Sequence, residues 1–242
     1  MSTVITTTVK TEPTTDTLTF GAAGDSVAIS GDSLNLNTLQ DSGGNSLFVS
    51  NGSGTITSIN SGLSGAMKLI QTQTASNATS VAFTSGIDST YDAYLFKFKT
   101  LNPATDLVSF TFQVNASGQT GYNETMTTNV FRAYHAEDNG SSALEYQTEH
   151  DQPSGTSYQA LAINMGNGSD ECAVGEMYLF APSNTTYDKS FFSVTNAYWS
   201  NNKTGELFVG GVIAVTSAIT QIDFKMSSGN FDGTIAMYGI SK

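Results

Sequence analysis

Residues 107–115, LVSFTFQVN, decide the fold. Val108, Phe110, Phe112 and Val114 fall on one face of an extended chain, and Ser109, Thr111, Gln113 and Asn115 fall on the other. A period of two is the pattern of a strand with one face in a core. The stretch before it repeats the pattern: in AYLFKFK (93–99), Tyr94, Phe96 and Phe98 oppose Lys97 and Lys99. Moving outward, strands read at MKLIQTQT, TSVAFT, NVFRAYH, YQALAINM, AVGEMYLFA, KSFFSVTN and ELFVGGVIAVT, each bounded by polar turn text. Two more close the sequence in KMSSGNFDGTIAMYGISK (225–242) and the residues just before it. There Ile222, Phe224 and Met226 alternate with Gln221, Asp223 and Lys225, and Gly229 and Gly233 supply positive φ. From Ile235 to Ile240 both faces are apolar, which predicts a strand inside a sheet or between layers. Some ten to twelve strands with no helical period predict an all-β fold, an antiparallel jelly-roll-like β-sandwich spanning residues 67–242.

Composition agrees. Of 242 residues only 12% are charged, about half the usual share. Ser, Thr, Asn and Gly replace them, and these compete with a helical backbone or cost it entropy. The net charge is −12 and Arg132 is the only arginine, so the cationic stripe that grips phosphates is missing and nucleic acid is not an expected partner. The one cysteine, Cys172, has no intrachain partner and reads as a small hydrophobe at the start of a strand. No basic, apolar leader opens the sequence and no run approaches the ~18 apolar residues of a membrane helix. Membrane insertion is not expected, and the chain is expected in the cytoplasm where it is made, unless carried out within a particle.

Residues 1–66 have different physics. Apolar residues come in short groups (SVAIS, SLNLN, SLFVS, TITSI) separated by Gly, Asp and Asn, with Phe20 and Phe48 the only aromatics. Such groups do not bury enough surface to offset chain entropy. Residues 21–66 are therefore either a flexible linker or a β-rich stalk that gains its core from other chains. Residues 1–20, Thr-rich with Lys10 and Pro13, read as an extended docking peptide.

Chemistry is sparse in the text. Phosphate-loop, dinucleotide, HExxH and CxxC motifs are absent, and GLSGA (62–66) lacks the last glycine of a nucleophile elbow. His135 lies beside Glu137 and Asp138, and His150 between Glu149 and Asp151. These could ligate a divalent cation if their loops met, but Asp-Asn-Gly and Asp-Gln-Pro are turn text, and no metal or other cofactor is expected. Asp151, Asp170, Glu171 and Glu176 supply carboxylates for glycoside hydrolysis without a spacing that singles out a pair. The chain reads as non-enzymatic. Sugar recognition has better material: Tyr198, Trp199 and Asn201 in NAYWSNNKTG, and Tyr122 in GQTGYNET, combine aromatic faces with amides. The alternative for Trp199 is that it caps the core or fills a subunit interface.

The stretches SGIDSTYDAYLFKFKTLNPATDLVSFTFQVNASG (85–118), GYNETMTTNVFRAYH (121–135) and FKMSSGNFDGTIAMYGI (224–240) resemble virion structural and fibre-like proteins of marine tailed bacteriophages. The opening MSTVITTTVKTEP looks like the short start that precedes a shaft in such fibres. The resemblance implies a β-rich particle component on capsid or tail, commonly trimeric, assembled in the host cytoplasm. The expectation built on it is that residues 1–20 dock on other virion proteins, residues 21–66 form the stalk and residues 67–242 the head. The alternative is a carbohydrate-binding receptor-recognition module using loops at one end of the β-sandwich, and both hold if the fibre binds a host surface glycan. No catalytic residue comes with the resemblance.

Overall fold

A computed structural model describes residues 38–41, 43–59 and 66–240. The expected docking peptide, residues 1–20, and the first part of the expected stalk lie outside the described residues. The chain divides into two units, Met1–Leu63 and Ser64–Lys242.

In the first unit, β1 (Thr38–Gln40), β2 (Ser46–Ser50) and β3 (Ile56–Ile59) form a three-stranded antiparallel sheet in chain order. Its turns are made by side chains. The Asp41 carboxylate accepts hydrogen bonds from the Gly43 and Asn45 amides at 2.8 and 2.9 Å, and Asn51 Oδ1 accepts from Ser53 N at 2.8 Å. None of its described residues is buried, and Leu39, Ile56 and Ile59 are exposed. A sheet this small with no buried residue has little stability of its own.

The second unit is all-β, with no helix among the described residues. Its strands are β4 (Met67–Ala78), β5 (Val81–Phe83), β6 (Ala93–Pro103), β7 (Val108–Ala116), β8 (Met126–Ala136), β9 (Ser142–Tyr146), β10 (Pro153–Gly155), β11 (Gln159–Met165), β12 (Ala173–Phe180), β13 (Lys189–Trp199), β14 (Lys203–Ile213), β15 (Ile219–Met226) and β16 (Phe231–Ile240). Every strand expected from periodicity is present. The short β9 and β10 add to them from text that reads as turns.

These thirteen strands form one antiparallel sheet. Its main path runs β4-β16-β6-β12-β13-β11-β7-β15-β5, and β14 branches from β13 to carry β8, which pairs with β9 and β10. The β13–β11 link is a single register pair, Met165 with Trp199. The sheet therefore bends there into a large part (β4, β16, β6, β12, β13, β14, β8, with β9 and β10 paired to β8) and a smaller part (β11, β7, β15, β5). The two ends of the path, β4 and β5, are consecutive in the chain, and Gln73 Nε2 donates to Ala82 O between them. The sheet thus curls close to a full circuit. The strand near the end of the sequence is internal, as its two apolar faces predict: β16 pairs with β4 on one side and β6 on the other.

The two parts enclose the core. Phe96 and Phe98 of the large part meet Phe83, Phe110 and Phe224 of the smaller with ring centroids 5.1–5.6 Å apart, and Phe191 of the large part meets Phe112 at 4.9 Å, all of them buried. The polar face of β7 is a departure from expectation. Thr111 and Gln113 are buried, because the chain on either side of β8 folds over them. Gln113 Nε2 donates to Glu124 O (2.9 Å) and Thr156 O (3.1 Å), while its Oε1 accepts from Val114 N (2.8 Å). Gln159, also buried, donates to His150 O at 2.9 Å and accepts from Thr128 Oγ1 at 2.7 Å. Amides with every group engaged pin the covering segments to the sheet, since leaving any of them unpaired would cost about 1–3 kcal/mol.

One such segment makes stability depend on pH. Burial lowers the His150 pKa below its ordinary 6.5; Glu149 opposes this and Arg132 reinforces it. The folded chain then binds fewer protons than the unfolded one between the lowered value and 6.5, so stability falls as pH falls through that window. Asp223 has the opposite sign: burial raises its pKa, although the Tyr158 hydroxyl donating at 2.8 Å favours the carboxylate. The stability Asp223 contributes is lost as pH rises through its raised value. Thermal melts at about pH 7 and about pH 5 should show a loss for the native chain that His150→Gln reduces.

Candidate functional site

Trp199 lies indoors. It is 3% exposed and belongs to the core. One ring face lies against Gly205, where an added Cβ would sit 2.0 Å from the indole Cε2. The other side meets Tyr134 at 5.4 Å and the Arg132 guanidinium at 5.1 Å. Arg132 is held in turn by Glu145, which accepts from its Nη2 at 2.9 Å. With both sides covered, Trp199 is the core cap among the sequence alternatives and offers no platform to a sugar. Tyr198 is half-buried and donates its hydroxyl to Glu137 at 2.8 Å, and Asn201 is exposed in the turn between β13 and β14. Tyr122 is elsewhere: its hydroxyl donates to Gln221 at 3.2 Å, beside Asn115 on β7. Val108 pairs with Met165 and Met165 with Trp199, so Tyr122 and Trp199 mark opposite ends of β7, about 24 Å of strand apart. The four aromatic and amide candidates form no single site.

The acidic and histidine candidates are also dispersed. His135 Nδ1 meets Ala136 O at 2.8 Å, whereas His150 sits in the segment over the smaller part of the sheet. Asp151 accepts from Tyr146 OH at 2.7 Å, Glu171 accepts from Gly168 N at 2.6 Å, and Glu176 faces Lys97 at 4.0 Å. Among the described residues no group of three or more His, Cys, Asp or Glu side chains is placed to hold a metal ion. Cys172 is half-buried just before β12, and its carbonyl accepts from Tyr198 N.

What the structure does bring together is the outward face of the large part. Register places its side chains in rows across the strands. One row runs Leu69–Tyr238–Leu95–Tyr178–Phe192. The next runs Ala236–Lys97–Glu176–Val194–Phe208–Phe131–Tyr146. A third runs Val174–Asn196–Glu206–Ala133–Leu144, with Lys99 at its β6 end. Phe192 is 44% exposed and Phe131 40%, and Tyr146, Leu144, Leu69 and Val174 are exposed as well. Leu95 and Ala236 in these rows are buried, and the exposed apolar side chains stand around them.

The rings stand up from the sheet against one another. Phe131 and Phe208 stack at 4.8 Å and 6°, and Tyr178 and Phe192 at 4.9 Å and 24°. One face of each ring is covered by its partner, which leaves less open ring face for a sugar to stack on and suits an apolar, packed layer.

A shallow groove of about 350 Å³ interrupts the apolar surface, lined by Lys97, Lys99, Val174, Glu176, Asn196 and Glu206 among others. It lies beside a bulge in β6. Both neighbouring strands shift register opposite Thr100, which has φ +47°, a conformation a β-branched residue rarely adopts. Gly233 of β16 takes φ +140° at the same place, where a side chain would meet Leu101 and Thr100. The extra residue turns Leu101 back into the core and leaves Lys99, on the same face as Lys97, at the groove's rim. Periodicity announced the outward face faintly: Phe191 and Phe192, Leu207 and Phe208, and Val130 and Phe131 are adjacent apolar pairs, so these strands are apolar on both sides.

Comparison with protein-family models, with curated proteins and with solved structures finds no match for this chain.

Proposed function

We propose that the protein is a non-enzymatic structural component of a bacteriophage virion, a short fibre or decoration protein displayed on capsid or tail. In this reading residues 1–20 dock on other virion proteins, residues 21–66 form a stalk wound from several chains, and residues 67–242 form a jelly-roll-like head. The observation that carries it is the outward face of the large part of the sheet, with exposed apolar side chains on several adjacent strands and stacked aromatic pairs among them. An assembly subunit has such a surface because it is covered only in the assembly. The exposed Leu39, Ile56 and Ile59 of the small N-terminal sheet point the same way, since that sheet needs apolar surface from outside itself. The resemblance in residues 85–118, 121–135 and 224–240 supplies the virion context and the trimer. Glycan adhesion is an added role that Tyr122, Tyr198 and Asn201 could serve only as separate contacts.

Light scattering after size exclusion tests the reading. The full chain should have the mass of a multiple of three chains, and residues 67–242 should have a smaller stoichiometry. Equal stoichiometry in the two would remove the stalk from the account, and a monomeric full chain would overturn the assembly role itself.

A further inference from the structure

The four charges on the outward face are arranged as halves of a self-complementary pair. Lys99 on β6 and Glu206 on β14 stand at the two ends of a four-strand stretch of one row, separated by Val174 on β12 and Asn196 on β13. Neither has an ion-pair partner among the described residues, whereas Lys97 and Glu176 face each other at 4.0 Å. An axis lying on this face, parallel to the strands and between β12 and β13, is equidistant from β6 and β14. Rotation by half a turn about it lays a second copy face to face on the first. Lys99 then lies over Glu206 of the second copy, and Glu206 over its Lys99. In the adjoining row the same rotation sets Glu176 over the second copy's Val194 and Lys97 over its Phe208, and in the row beyond it sets Tyr178 over the second copy's Phe192.

We propose that two heads pair through this face by a twofold contact, with a second copy of the chain as the occupant. This deepens the assembly reading above and rests on it. Seven strand gaps at about 4.8 Å and two two-residue steps at about 6.8 Å span roughly 34 by 14 Å, about 460 Å² measured along the sheet. That is below the roughly 800 Å² per partner of a standard interface and in the range of a weak contact. The chemistry fits an isologous contact: the row of Tyr178 and Phe192 supplies apolar packing, Lys97 and Glu176 neutralise each other within each copy, and the unpaired Lys99 and Glu206 fix the register. The contact joins heads and does not depend on how many chains the N-terminal segment winds together.

Paired charge reversals on the full chain test it. Lys99→Glu sets carboxylate against carboxylate at both ends of the row, and Glu206→Lys sets ammonium against ammonium there. Each variant should associate at least about tenfold more weakly and show half the native stoichiometry in light scattering. An equimolar mixture should recover the native mass, because one copy then carries acids at both positions and the other carries lysines at both. Phe192→Lys should lose the contact as well, with no rescue by either variant. All three positions are at the surface of the head, and unchanged circular dichroism and melting confirm the fold. If the native chain is oligomeric and both reversals keep its mass, or their mixture fails to recover it, the twofold contact is wrong while the assembly reading stands. A native chain that stays monomeric overturns both.

Discussion

Phe224→Ala should lower the free energy of unfolding by about 3–5 kcal/mol, read as a fall in urea midpoint at unchanged slope. Phe224 is fully buried on β15 and its ring meets five others: Phe83, Phe96, Phe98, Phe110 and Phe112. Phe96 and Phe98 come from the large part of the sheet and the other three from the smaller part or its edge, so this ring lies at the junction of the two layers. Its loss removes apolar transfer energy and leaves a cavity bounded by rigid aromatics on short strand spacings, which cannot collapse to fill it. Phe224→Leu, which keeps most of the volume, should cost less than half as much. Equal losses for the two variants would mean that the site relaxes freely and that the cluster is not the keystone of the core.

Lys189→Met should cost about 3 kcal/mol, a large loss for a substitution that increases hydrophobicity. Lys189 is 1% exposed, and its ammonium donates to Tyr187 O, Val215 O and Thr216 O at 3.0, 3.0 and 2.9 Å. Three donors meet three acceptors, which satisfies the group completely. Burial lowers its pKa, with Asp188 opposing, so the ammonium sits in a costly place and is retained by these bonds. Replacing both members of a buried ionic contact by apolar groups can be neutral. Here the acceptors are backbone carbonyls, so only one member is replaceable and three dipoles are left facing a thioether. Hydrogen exchange should quicken in residues 185–188 and 214–218, which the ammonium ties together. A melt unchanged in Lys189→Met would show that water reaches these carbonyls and replaces the ammonium.

The strands were legible because their apolar residues alternate. Phe110 and Phe112 sit in the core where the period puts them, as do Phe96 and Phe98. The short β9 and β10 were not legible, since SALEY contains a glutamate and PSG consists of turn residues. Nor were the buried Lys189, Gln113 and Gln159. Their burial is imposed by segments distant in sequence, and a polar residue at a strand position looks the same whether solvent or another loop covers it. Trp199 was misleading for a related reason: serine and asparagines surround it in the text, while Gly205, the residue that makes room for its ring, lies across the hairpin. A glycine inside the strand text KTGELF was the available signal. The outward face was legible residue by residue but not as a surface, because its rows assemble strands from the whole length of the head.

The position of β16 has a consequence for synthesis. It fills the gap between β4 and β6, with Ile235 pairing with Gln73 on one side and Phe98 on the other. A nascent chain therefore carries two unpaired strand borders, on β4 and on β6, throughout the time needed to translate everything between them and residue 231. Contacts this distant in sequence also make closure slow. Exposed borders invite pairing with other chains, so a product truncated within residues 231–240 would hold every other strand of the sheet yet be prone to aggregate. The thirteen-strand sheet is thus completed in one late step, and the cell's exposure to misassembled product is set by how quickly residues 231–240 find their slot.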